Sequence, residues 1–125
     1  MSYFESLGSL TPEIRDELTD MVDRHFYNME SETVSASGAL SVTKRTTYLS
    51  VTGSKVYTLA DGTWEGQQKL VYCTVAAGGP SGVLTPANLG NGTSFTFDAV
   101  SESVLLEWHT STGWIVIDVQ GTAVA

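Results

Sequence analysis

The chain has 125 residues, 42% of them hydrophobic, which is enough for one domain with its own core and argues against intrinsic disorder. Fourteen Asp and Glu stand against six Lys and Arg, and the resulting net charge of -8 repels phosphate backbones and anionic lipid headgroups, so neither nucleic acid nor a membrane is expected as a partner. One cysteine, Cys73, excludes an intrachain disulfide and a cysteine-rich metal site.

Along the chain, Tyr3, Phe4 and Leu7 come first, a small apolar arm with Gly8 and Ser9 behind it. The arm carries no basic region followed by an apolar one. No run approaches the roughly 18 apolar residues that cross a bilayer, so a soluble protein assembled in a reducing compartment is expected.

Thr11 and Pro12 then form a helix entrance, a side-chain cap followed by a residue suited to the first helical position. Ile14, Leu18, Met21, Val22, His25, Phe26 and Met29 recur at helical spacing with acidic residues between them, which predicts a helix over 12–29. The acid is concentrated here: residues 1–32 hold eight acids and two bases, a balance of -6, whereas the other 93 residues hold six acids and four bases. Ile14, Leu18, Met21, His25 and Asn28 follow alternating steps of four and three, a short seam. Two placements are open for this stripe: against the chain's own β domain, or against copies of itself or another protein.

Glu30 to Gly38 is small and polar and reads as a linker, with residues 33–38 separating a helical part (1–32) from a β domain (39–125). From Ala39 onward, short runs rich in Val, Thr, Tyr, Phe and Trp alternate with Gly, Pro, Asn and Asp clusters. Strands are expected over 40–44, 47–52, 55–60, 68–76, 82–85, 94–97, 103–109 and 113–119. Gly53, Gly62, the Gly78–Gly82 stretch and Gly90–Gly92 supply turns, and Ser111-Thr112-Gly113 joins the last two strands as a hairpin. The expected fold is mainly β: an N-terminal helix followed by an antiparallel β-sandwich, jelly roll or small barrel.

Phe95 and Phe97 share one face of their strand, with Ser94 and Thr96 opposite. Other strands are apolar on both faces: Leu70 and Tyr72 oppose Val71, Cys73 and Val75; Leu105 opposes Val104, Leu106 and Trp108; Ile115 and Ile117 oppose Trp114 and Val116. A domain this small has one core, so strands of this kind require a second covering surface, and a homo-oligomer is expected. Ile14, Leu18, Met21, His25, Val71, Leu105, Ile115 and Ile117 are its candidate interface residues.

Chemistry is sparse by comparison. His25 and His109 stand apart, outside HxxxH or HExxH spacing, and Cys73 lies inside a strand as a structural thiol would. Asp61 with Glu65, and Glu102 with Glu107, are spaced so that a carboxylate dyad could be imagined, but surface carboxylates in turns are far commoner than catalytic pairs. No catalytic set, metal site or cofactor is expected, and the chain is not read as an enzyme. Trp64, in a polar loop, is the one candidate ligand contact, since an exposed indole can stack on a sugar ring or anchor a protein contact, although structural packing is the commoner role of such a residue.

The succession TTYLSVTGSKVYTLADGTWEGQQKLVY, LTPANLGNGTSFTF and SVLLEWHTSTGWIVI, spanning Thr46 to Ile117, resembles a β module of tailed-bacteriophage structural proteins found in head fibres, decoration proteins and tail-fibre ends. Its most distinctive parts are Leu59 to Gln67 and Leu106 to Trp114. The resemblance implies a non-enzymatic virion protein, commonly a homotrimer. Because the chain lacks a long shaft or repeats, it is more similar to a capsid decoration (cement) protein, made in the host cytoplasm and placed on the capsid exterior with the major capsid protein as partner. Tyr3, Phe4 and Leu7 are then candidate capsid contacts. The alternative implied by the same resemblance is a host-binding module, at a fibre tip, that recognises a receptor or glycan through Trp64.

Overall fold

The computed structural model describes residues 12–125. Pro12 opens helix α1 (Pro12–Met29), where its fixed φ suits the first turn and its missing N–H has no intrahelical partner to lose. The Glu30 N–H donates to the Tyr27 carbonyl at 3.2 Å, and the Glu30 carbonyl accepts from the Thr46 N–H at 3.3 Å, which ties the helix end to the β domain.

The chain passes directly into β1 (Ser31–Val34) and, beyond a bend at 35–37, into β2 (Gly38–Leu40). The polar stretch expected as a linker thus contains strand. An edge strand needs few apolar residues when its neighbour is already in place: Ser31 and Thr33 are exposed, while Glu32 and Val34 are half-buried.

Two long strands form the centre, β3 (Thr46–Leu59) and β4 (Gln68–Pro86). The expected break near Gly53 is a bend within one continuous strand. Gly53 (φ 75°) and Gly78 (φ 66°) adopt left-handed backbone at matching bends in the two strands, and a side chain at either would be strained. Each long strand therefore has two limbs, and pairing resumes beyond the bend instead of reversing into a hairpin.

This changes the expected topology. β1 and β2 lie parallel to the two limbs of β3, and β3 lies parallel to β4 along its length. The chain makes three stacked rungs, returning between them through 41–45 and 60–67. Only the last part is antiparallel, as expected. β6 (Ser103–His109) pairs with the first limb of β4, and β5 (Phe95–Phe97) pairs with the second limb. β7 (Gly113–Gln120) flanks β6, and β8 (Ala123–Val124) flanks β5. The result is an open, mixed, eight-stranded sheet with an N-terminal helix. It replaces the wholly antiparallel arrangement.

One hydrophobic cluster draws on both halves of the bent sheet. Leu49, Val51, Val71, Cys73, Val104 and Leu106 come from the first half, and Tyr57, Leu59, Leu84, Phe95 and Phe97 from the second. Trp108 and Trp114 meet edge to face at 5.4 Å, and the Trp114 Nε1–H donates to the Ala60 carbonyl at 2.9 Å. Cys73 is buried, with its Sγ 3.4 Å from the Val75 carbonyl, and burial pushes the thiol pKa up.

Candidate interaction surfaces

The loop 60–67 is the structural hub of the molecule. A Cβ at Gly62 would lie 2.6 Å from the Trp108 Cβ, so only glycine lets the loop run this close to the ring. The Gly66 N–H donates to the Trp108 carbonyl at 2.8 Å, and the Trp108 N–H donates to the Gln67 carbonyl at 2.7 Å. Gln67 is buried: its Oε1 accepts from the Thr63 N–H at 2.6 Å and its Nε2 donates to the Val42 carbonyl at 2.9 Å, joining the two return loops.

This loop presents Trp64 to the helix. Tyr27 is the buried residue of α1; its hydroxyl donates to the Gln68 carbonyl at 2.7 Å, and its ring meets Trp64 edge to face at 5.0 Å. Arg24, paired with Asp20 at 3.1 Å, places its guanidinium 5.1 Å from the Trp64 ring centroid. Trp64 is half-buried and packs against its own helix, as the structural role of the two open to it requires. Tyr27 gave no signal in the sequence beyond being an aromatic residue off the apolar stripe.

At about 100° per residue, Tyr27 lies about 120° or more around the helix from Leu18, Met21, Val22, His25 and Met29, and Arg24 lies at the edge of the stripe, between Tyr27 and Met21. The helix is thus held by its polar side, and its apolar stripe points away from the β domain. Met21 is 64% and Met29 69% exposed, His25 and Phe26 are exposed, and Leu18 and Val22 are half-buried. Ile14 continues the same line. Among the described residues, the ring and hydrogen-bond contacts that join α1 to the β domain come from Arg24 and Tyr27, in its last turns.

A second apolar surface lies on the outer face of the first half-sheet. Leu70 and Leu105 are cross-strand partners there, and both are half-buried. Tyr48 and Tyr72 are paired across β3 and β4 with ring centroids 6.3 Å apart. Ile115 is half-buried and Ile117, at the irregularity between β6 and β7, is 49% exposed. Val71 does not belong to this face. It is fully buried in the chain's own core, because strand alternation turns it to the side opposite Leu70 and Tyr72. Tyr3, Phe4 and Leu7 lie outside the described residues.

Polar side chains hold the return loops. The Lys69 side chain is buried and its Nζ donates at 2.7 Å to the carbonyls of both Ser41 and Lys44. Burial lowers its pKa to about 8, against a smaller opposing pull from Glu32. On the surface, His109 sits between two carboxylates, with Nε2 2.8 Å from Glu107 and Nδ1 2.9 Å from Glu65. Glu107 and then Glu65 raise the His109 pKa, and bonds from Thr110 and His109 lower that of Glu65.

The other carboxylates singled out in the sequence also hold turns. Asp61 accepts from the Asn88 Nδ2 at 2.7 Å, and Glu102 accepts from the N–H groups of Asp98 and Ala99 at 2.6 and 2.8 Å. Among the described residues, no three His, Cys, Asp or Glu side chains are grouped to hold a metal ion, and no helix is long and apolar enough to cross a membrane.

No protein-family model matches this chain, and no curated protein matches it in sequence.

Proposed function

We propose that the chain is a homotrimeric structural protein of a tailed-phage virion, a decoration protein that binds the exterior of the assembled head and braces it. The observation that carries this reading is the helix held by its polar side, with an apolar stripe turned outward. The outer sheet face around Leu70, Leu105, Ile115 and Ile117 adds a second uncovered surface. Covering one Leu, Ile or Met side chain fully contributes about 1.5–3 kcal/mol, so five or six of them offset the entropy cost of association. The likeness of residues 46–117 to phage head and fibre modules supplies the setting.

In this role the protein acts by mass action. Binding to the assembled shell and not to free capsid subunits stabilises the shell in proportion to occupancy. The major capsid protein is the partner, and the capsid exterior is the location. The host-binding alternative loses its best residue, since Trp64 is engaged by Tyr27 and Arg24.

The test is co-sedimentation of the purified protein with decoration-free capsids and, separately, with host envelopes. The proposal expects pelleting with capsids and a raised shell disruption temperature. Pelleting with envelopes alone rejects it.

A further inference from the structure

We infer that α1 packs in parallel and in register against α1 of other copies of this chain, with Leu18, Met21, His25 and Asn28 on the shared axis. This deepens the assembly reading above and rests on it.

The contacts of Tyr27 with Trp64 and the Gln68 carbonyl root the helix on the side away from the stripe, and Arg24, at the edge of the seam, also reaches Trp64, so the stripe faces away from the β domain. The stripe also includes Val22 and Met29 beside the seam, which makes it wider than a two-helix contact buries and suits a bundle of three.

A strongly acidic segment ordinarily repels its own copies. Here Glu13, Asp16, Asp20 and Asp23 occupy positions remote from the seam, while the positions that flank it hold Arg15, Glu17, Val22, Arg24 and Met29. One acid among five flanking residues leaves little repulsion across the contact.

The order of residues along the seam selects the direction. In a parallel, in-register bundle each layer meets itself: leucine meets leucine, methionine meets methionine, His25 meets His25 and Asn28 meets Asn28, so polar groups find polar partners. An antiparallel pair about the same seam would set Leu18 against His25 and Ile14 against Asn28, which buries polar groups against hydrocarbon. Parallel packing also places all β domains at one end of the bundle, where their outer sheet faces can meet.

Three full-length variants test this. Light scattering at micromolar concentration should give the mass of three chains for the unaltered protein and of one chain for the Leu18→Glu, Met21→Glu double variant. These positions are outside the core, so the β domain should keep its near-ultraviolet spectrum. His25→Leu, which replaces the polar layer, should lower the concentration for half-dissociation at least tenfold. Asn28→Cys should cross-link copies on oxidation, since in-register positions adjoin whereas antiparallel ones are about 20 Å apart. A double variant that stays trimeric overturns the helical seam while leaving assembly through the sheet face standing. An unaltered protein that is monomeric overturns both, and an assembled Asn28→Cys protein without a cross-link overturns the parallel register.

Discussion

The rings of Tyr27 and Trp64 meet edge to face, with centroids 5.0 Å apart and planes at 82°, and this contact helps the Tyr27–Gln68 hydrogen bond to hold α1 on the β domain. The Arg24 guanidinium over the same indole adds to it. An edge-to-face pair and a cation–π contact together are worth about 2 kcal/mol. Trp64→Ala should therefore release the last turns of α1. Amide hydrogen exchange should speed up there while protection in β3 and β4 stays unchanged. Equal loss of protection in both regions would show that the loop supports the whole core instead.

Lys69 should make stability rise with pH over part of the alkaline range. Its pKa is lowered from 10.5 to about 8 in the folded chain, so between those values the unfolded chain holds a proton that the folded chain has released. The stability advantage of the natural chain over Lys69→Met should accordingly widen between pH 7.5 and 9.5, as read by urea unfolding at each pH. The variant itself should be less stable by about 2–4 kcal/mol, because the carbonyls of Ser41 and Lys44 lose their donor. Parallel pH profiles for the two proteins would contradict the assigned shift.

His109 is expected to act in the opposite direction. A neutral imidazole has one N–H, yet both ring nitrogens of His109 adjoin carboxylates, so the bridging form is the charged one. Its raised pKa means that its stabilising contribution is complete below pH 6.5 and is lost as pH climbs through the folded value. Glu65, with its pKa lowered from 4.5, loses its contribution as pH falls through its own folded value, so the bridge is fullest between the two. Nuclear magnetic resonance titration should place the His109 midpoint above 6.5, and Glu107→Gln should lower it more than Glu65→Gln does. A midpoint at or below 6.5 would dissolve the bridge.

Gly62→Ala should cost about 1–3 kcal/mol, because the added methyl collides with Trp108 and the loop must shift. The loss should appear in the urea midpoint, with quenched tryptophan emission changed as Trp108 moves. An unchanged midpoint would mean that the loop 60–67 yields freely, and its role as hub would fail.

Much of this architecture was legible in local pattern. The helix over 12–29 follows from apolar residues every three or four positions and Pro12 at its start; the strands 95–97, 103–109 and 113–120 match, to within a residue at their ends, short apolar runs bounded by turn residues, of which the first alternates cleanly. The buried Cys73 and the inward pair Phe95 and Phe97 were equally plain. These features depend on neighbours a few residues apart, which the order of residues specifies directly.

Other features depended on contacts made across the fold. A glycine tolerant of positive φ serves a hairpin or a bend equally well, so whether Gly53 reverses the chain or turns it by one limb is set by β4 lying alongside in parallel. Alternation shows that Val71 and Leu70 face opposite ways, but which one is inside depends on where the second half-sheet closes. The same holds for α1: its periodicity marks an apolar side and a polar side, and it took Trp64, 37 residues beyond Tyr27, to decide that the polar side would be the one bound. Periodicity divides surfaces into two kinds, and only the packing of distant segments assigns each a neighbour.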